Sequence, residues 1–248
     1  MSTVHRTLAG IQASTRSFVR EPFTVVLLVV LPALSIQIYG VGMGQFPDVG
    51  IFAVSGSVAT VGRITGAVFA TGALAGVLGL FQMISARHAD RRLTICGFRG
   101  VELVTARFAT IAVASAVVSV VATLSLIVLV DDPIGAPLAA FGGLAIAGAI
   151  YGLLGIVVGS VLPRELEGSL LLVILADVDN VFASGLFGIE DSITQFAPLA
   201  HPHAIVTEAV VEGALATGHL VPALGHLSLF ALLSVAAYTY QLESGGDA

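Results

Sequence analysis

The chain has 248 residues, of which 56% are hydrophobic and only 10% charged, and it carries a formal net charge of −6. Soluble domains hold about 25% charged residues, so this composition, arranged in apolar runs long enough to cross a bilayer, excludes an ordinary soluble enzyme and predicts an all-α integral membrane protein. The runs do not alternate in polarity, which excludes a β-barrel, and the one cysteine, Cys96, excludes an intrachain disulfide.

Residues 1–22 place Val4, Leu8, Ile11, Thr15 and Phe18 on one helical stripe, away from Arg6, Arg16 and Arg20. This predicts an amphipathic helix lying in the membrane surface. The charged start is long and more apolar runs follow, so an uncleaved first span is expected rather than a removed signal peptide. Six transmembrane spans follow, at about 23–39, 64–85, 108–130, 138–162, 168–189 and 219–240. Pro32 interrupts the first, as neighbours in a bundle permit. Ile51 to Val61 is too short to span and reads as a re-entrant or surface piece. Gly72 and Gly76 make a close-approach face on the second span, and Gly148, Gly152, Gly155 and Gly159 do so on the fourth. Residues 241–248 form a short polar tail.

Basic residues are distributed unevenly. Residues 1–22, the 86–107 loop, the 163–167 turn and the tail hold Arg6, Arg16, Arg20, Arg87, Arg91, Arg92, Arg99, Arg107 and Arg164; the opposite side holds Arg63 alone. The positive-inside rule therefore predicts a multi-pass cell-membrane protein with both termini and the 86–107 loop in the cytoplasm. That loop combines charge with apolar residues, namely Leu93, Ile95, Cys96 and Phe98. A topology signal needs only the arginines. The added apolar residues point to docking on a soluble partner, through Arg87, Asp90, Arg91, Arg92, Phe98, Arg99 and Glu102.

Asp177, Asp179 and Asn180 fall inside the fifth apolar run. Acidic groups at such depth are costly and face an aqueous path, a partner or another helix. Asp177 and Asp179 stand about 200° apart on a helix, so one pocket does not take both unless the helix breaks. Arg63 is a possible partner. His201, Pro202 and His203 read as a turn that starts a helix rather than a metal site, which needs three or four converging ligands. No hydrolase motif or nucleic-acid signature is present.

The chain resembles the permease subunits of ABC-2 type ABC transporters. The resemblance rests on the six spans, the amphipathic N-terminal helix, and the coupling segment between spans two and three. Glu102, Leu103 and Arg107 resemble the family's Glu-Leu-x-x-x-Arg entry into the third span. Ala183, Ser184, Gly185, Leu186 and Phe187, then Pro198 and the His201–Pro202 pair, resemble its small motif after the fifth span. The coupling segment departs from the family's early acidic residue: it begins Arg87, His88, Ala89, Asp90, Arg91, Arg92. The resemblance implies an exporter half, paired with a second permease and driven by separate P-loop ATP-binding subunits. The chain has no lysine and no P-loop of its own, so ATP and Mg would bind the partner and this chain carries no cofactor and no enzymatic activity. A self-contained ion- or proton-coupled carrier or channel using Asp177 and Asp179 is the alternative, and a membrane scaffold that recruits a soluble protein is a third.

Overall fold

The computed structural model describes residues 22–45, 57–162, 164–185 and 194–244. Among these, the chain forms helices α1 (Pro22–Gly44), α2 (Val58–Ile95), α3 (Gly100–Leu129), α4 (Pro137–Val161), α5 (Glu165–Ala183), α6 (Ala200–Val211) and α7 (Thr217–Ser244), with no strands. Five of them, α1, α2, α3, α4 and α7, are long and apolar enough to cross a membrane. The fifth expected span is α5, a 19-residue helix that carries Glu165, Glu167, Asp177 and Asp179 and is not among those five. The expected N-terminal amphipathic helix, with Arg6, Arg16 and Arg20, lies outside the described residues.

The helix limits differ from the expected spans in three places. The 86–107 segment is not a loop: α2 runs unbroken through it to Ile95, α3 begins at Gly100, and only residues 96–99 turn the chain. With 38 residues, α2 is roughly 57 Å long at 1.5 Å per residue. Its apolar part ends at Ser85, so its last turns project beyond any bilayer that part spans. Val58 to Val61, expected in a separate short piece, are instead the first turn of α2, capped by the Ser57 hydroxyl on the Thr60 amide at 3.1 Å. The polar tail begins later than expected, because α7 continues to Ser244.

α2 and α4 form the centre of the bundle. Their backbones touch where glycine removes the side chain. A Cβ on Gly79 would lie 2.0 Å from the Gly152 carbonyl oxygen, and one on Gly155 would lie 2.0 Å from that of Gly76. Around this crossing Ile64, Val68, Leu144, Ile150 and Tyr151 are fully buried and pack with Leu126 of α3, Ala176 of α5 and Val206 of α6. α1 lies against α2, where Gly62 and Gly66 meet the backbone at Tyr39 and Ser35. The outward faces of α1, α3, α5 and α7 stay apolar, as with Val30, Leu34, Leu124, Leu170 and Leu232. That pattern suits lipid and would be unusual in water.

Candidate functional site

The turn between α2 and α3 forms a tight elbow, and local backbone chemistry explains its shape. Gly97 adopts φ +86°, a left-handed conformation that favours glycine. Its N–H donates to the Thr94 carbonyl at 2.9 Å, and the Phe98 N–H donates to Leu93 at 3.0 Å. These two bonds make a Schellman stop for α2. Phe98 then packs with Leu93 against Met83, Leu103, Ile111 and Tyr238. Four residues on, the Glu102 carboxylate accepts the Arg99 N–H at 3.1 Å and caps the start of α3.

The acidic residue Asp90 ties this elbow to the rest of the bundle. It is 2% exposed. One oxygen accepts Arg107 Nη2 of α3 at 2.7 Å, and the other accepts the Tyr238 hydroxyl of α7 at 2.6 Å. A carboxylate buried there is tolerable because both oxygens hold strong donors.

The seven residues expected to dock a partner therefore separate into two sets. Asp90 and Glu102 turn inward and fasten the elbow, and Phe98 is half-buried on its apolar floor. Arg92 and Arg99 are exposed, as is the neighbouring Cys96. Arg87 and Arg91 lie on the same projecting part of α2, and their side chains are outside the described part. Ile95, one of the apolar anchors read from the sequence, is 86% exposed, and the structure adds Val101, which sequence reasoning passed over and which is 76% exposed. The elbow tip is thus a small apolar surface bordered by guanidinium groups. The Glu102, Leu103 and Arg107 pattern has an internal purpose here, since the three cap α3, fill the floor and hold Asp90.

The second polar site lies inside the bundle, on α5. The helix does not break at Asp177 and Asp179; the two acids face different neighbours. Asp177 accepts the Tyr39 hydroxyl of α1. Asp179 Oδ2 accepts the Tyr151 hydroxyl of α4 at 2.7 Å and the Leu199 N–H at 3.2 Å. Asn180 Nδ2 donates to the Thr65 carbonyl of α2 at 2.8 Å. Thr65 lies seven residues into α2, roughly 10 Å from its end, so this cluster sits towards the end of the bundle opposite the elbow. Arg63 does not join it, because its Nη1 pairs with Asp131 at 2.9 Å.

His203 of α6 completes the cluster. The Thr65 hydroxyl donates to the Val61 carbonyl at 2.8 Å, which leaves its oxygen to accept from His203 Nε2 at 3.4 Å. Burial alone pushes the His203 imidazole down to about 4 from 6.5, so it is neutral near pH 7. Its neutral form then stabilises the fold fully above pH 6.5, and that contribution is lost as pH falls towards 4. The protein in detergent should lose thermal stability through this window, and His203→Gln should flatten the acid limb. An unchanged limb would remove His203 as a cause.

Two acceptors in the cluster, Asp179 Oδ1 and Asn180 Oδ1, are buried without a hydrogen-bond partner. The remaining bonds clamp α5 to α1, α2, α4 and the start of α6. Tyr151→Phe removes the hydroxyl from a buried carboxylate, which should cost about 1–3 kcal/mol and lower the melting temperature; no loss would show that Asp179 is otherwise satisfied. Among the described residues, no three His, Cys, Asp or Glu side chains are arranged to hold a metal ion.

Compared with models of known protein families and with curated proteins, the chain matches none.

Proposed function

We propose that this chain is the membrane-spanning permease subunit of an ATP-driven ABC exporter, of the ABC-2 type, and that its elbow couples it to a separate ATP-binding subunit. The carrying observation is the elbow: the longest helix in the bundle projects past its apolar part, turns on four residues, and presents Arg92, Ile95, Cys96, Arg99 and Val101 outward. An exposed isoleucine edged by arginines suits a protein groove with an acidic rim. A push on the tip would be delivered to α3 and α7 together, because Asp90 holds both.

In this reading the elbow, both termini and Cys96 face the cytoplasm of a cell membrane. ATP and Mg sit on the partner, and a second permease copy or a similar permease completes the path. The test is copurification of the tagged chain with the products of its neighbouring genes. A P-loop ATPase should accompany it. Ile95→Asp should abolish that association and leave the melting temperature unchanged, and alkylation of Cys96 with N-ethylmaleimide should weaken it. Phe98→Asp would not serve, since Phe98 belongs to the elbow's apolar floor.

The two unpartnered acceptors on Asp179 and Asn180 favour one other reading, an ion- or proton-coupled carrier. Under it no ATPase would copurify, and Asp179→Asn would stop transport in a protein that still folds.

A further inference from the structure

At the end of the bundle opposite the elbow, a histidine pair joins α6 to α7. His201 is the second residue of α6 and His219 the third of α7. Their Nδ1 atoms are 3.0 Å apart, with ring centroids 5.3 Å apart. His226, two turns further along α7, lies against the same His201 ring at 5.5 Å. Two imidazole nitrogens at this distance share one hydrogen, one donating it and the other accepting through its lone pair. A second proton has no place in that contact: it would set two N–H groups and two positive charges against each other.

Among the described residues, no carboxylate forms an ion pair with either ring. Both rings stand in the first turn of their helices, where the helix dipole is positive and a cation is disfavoured. From α7, His201 faces His219 and His226, and His226 Nδ1 is itself buried without a partner. From α5, Asp179 Oδ2 is engaged by the Leu199 N–H and Tyr151, and its Oδ1 has no hydrogen-bond partner. From α2, Thr65 faces His203 on the same short helix. From α4, Gly143 meets α6 at Pro202, Ile205 and Val206, a contact with no titratable group. Burial first, then His219 and His226, push the His201 imidazole below its ordinary 6.5, against a smaller upward effect of a hydrogen bond to the Gln195 backbone.

We infer that His201 and His219 are a proton-binding latch, which one shared hydrogen holds closed near neutral pH and a second proton opens, releasing the start of α6 from α7. The sign follows from the neutral pair: the contact is complete above pH 6.5 and is lost as pH falls below it. α4, α6 and α7 also wall an apolar groove of about 550 Å³, lined by Leu138, Gly142, Ile146, Ile205, Leu215 and Leu220. Opening the latch moves one wall of that groove, so groove width follows pH.

The test uses the full chain in lipid nanodiscs, with Cys96→Ser and spin labels at Phe196→Cys and Val221→Cys. Both positions are exposed. Electron-electron resonance should give one distance at pH 7.5 and a second, longer population at pH 5.0. His203, pushed down to about 4, lies below both pH values. His219→Gln should show the same distribution at both pH values. An unchanged distance in the parent, or the same change in His219→Gln, would overturn the latch. Nitrogen-15 histidine spectra of the unmodified chain provide a second measurement. At pH 7.5 they should show a through-hydrogen-bond coupling between the His201 and His219 Nδ1 nitrogens, and its absence would overturn the latch as well.

Discussion

Asp90→Ala should cost about 3–5 kcal/mol of stability, the range for breaking a buried ion pair from one side. The substitution removes the buried carboxylate that holds Arg107, whose side chain is 16% exposed, and the Tyr238 hydroxyl. It also separates α7 from the elbow, so the loss should be cooperative rather than local. Thermal unfolding in one fixed detergent checks it, with Arg92→Ala as the surface control, expected within about 0.5 kcal/mol of the parent. The double variant Asp90→Leu with Arg107→Met should recover part of the loss, because an apolar replacement removes both charges from the interior. If Asp90→Ala behaves like Arg92→Ala, Asp90 is a surface residue and the node does not hold the elbow.

The second large effect belongs to the α2–α4 crossing. Gly155→Ala places a methyl group 2.0 Å from the Gly76 carbonyl oxygen and 2.8 Å from the Leu80 nitrogen. Gly79→Ala does the same against the Gly152 carbonyl at 2.0 Å. The obstacles are backbone atoms, which cannot rotate aside, so the helices must separate along their length. Overpacking costs about 1–3 kcal/mol and occasionally more; these two should lie at the top of that range and lower the yield of folded protein. Gly142→Ala is the control on the same helix. Nothing lies within 4 Å of its new methyl, and alanine is about 1 kcal/mol better than glycine inside a helix. It should be neutral or stabilising. Equal losses in all three variants would mean that the backbone contact at the crossing does not set the result.

The sequence reading located the apolar helices well, because hydropathy reports burial in lipid directly. It failed where a polar stretch continues a helix. The charges at Arg87, Asp90, Arg91 and Arg92 read as a loop, yet nothing there breaks a helix before Gly97, and the stop is a glycine conformation rather than a change in polarity. Glycine spacing identified the two helices that touch but shifted the contact on α2. Gly72 faces the Tyr151 ring at 3.5 Å, and the backbone contact falls at Gly76 and Gly79.

The polar sites were half legible. Acids stood out as costly, but their partners are tyrosines far away in sequence. Three of the four tyrosines hold an aspartate: Tyr39 with Asp177, Tyr151 with Asp179, Tyr238 with Asp90. A buried tyrosine hydroxyl needs a partner, and that rule could have suggested such pairs without saying which tyrosine meets which acid. The inward direction of Asp90, Phe98 and Glu102 was not readable, because it depends on how the α2 extension rotates against α3 and α7.

Site-directed photo-crosslinking tests the proposed coupling role of the elbow most directly. A benzophenone amino acid is placed at Ile95 in one preparation and at Phe98 in another, in cells that carry the neighbouring genes. The account predicts a crosslink from Ile95 to a P-loop ATP-binding subunit, and from Phe98 only within the chain. Crosslinks from Ile95 that reach lipid or another copy of this chain, with no ATPase among the products, would contradict it.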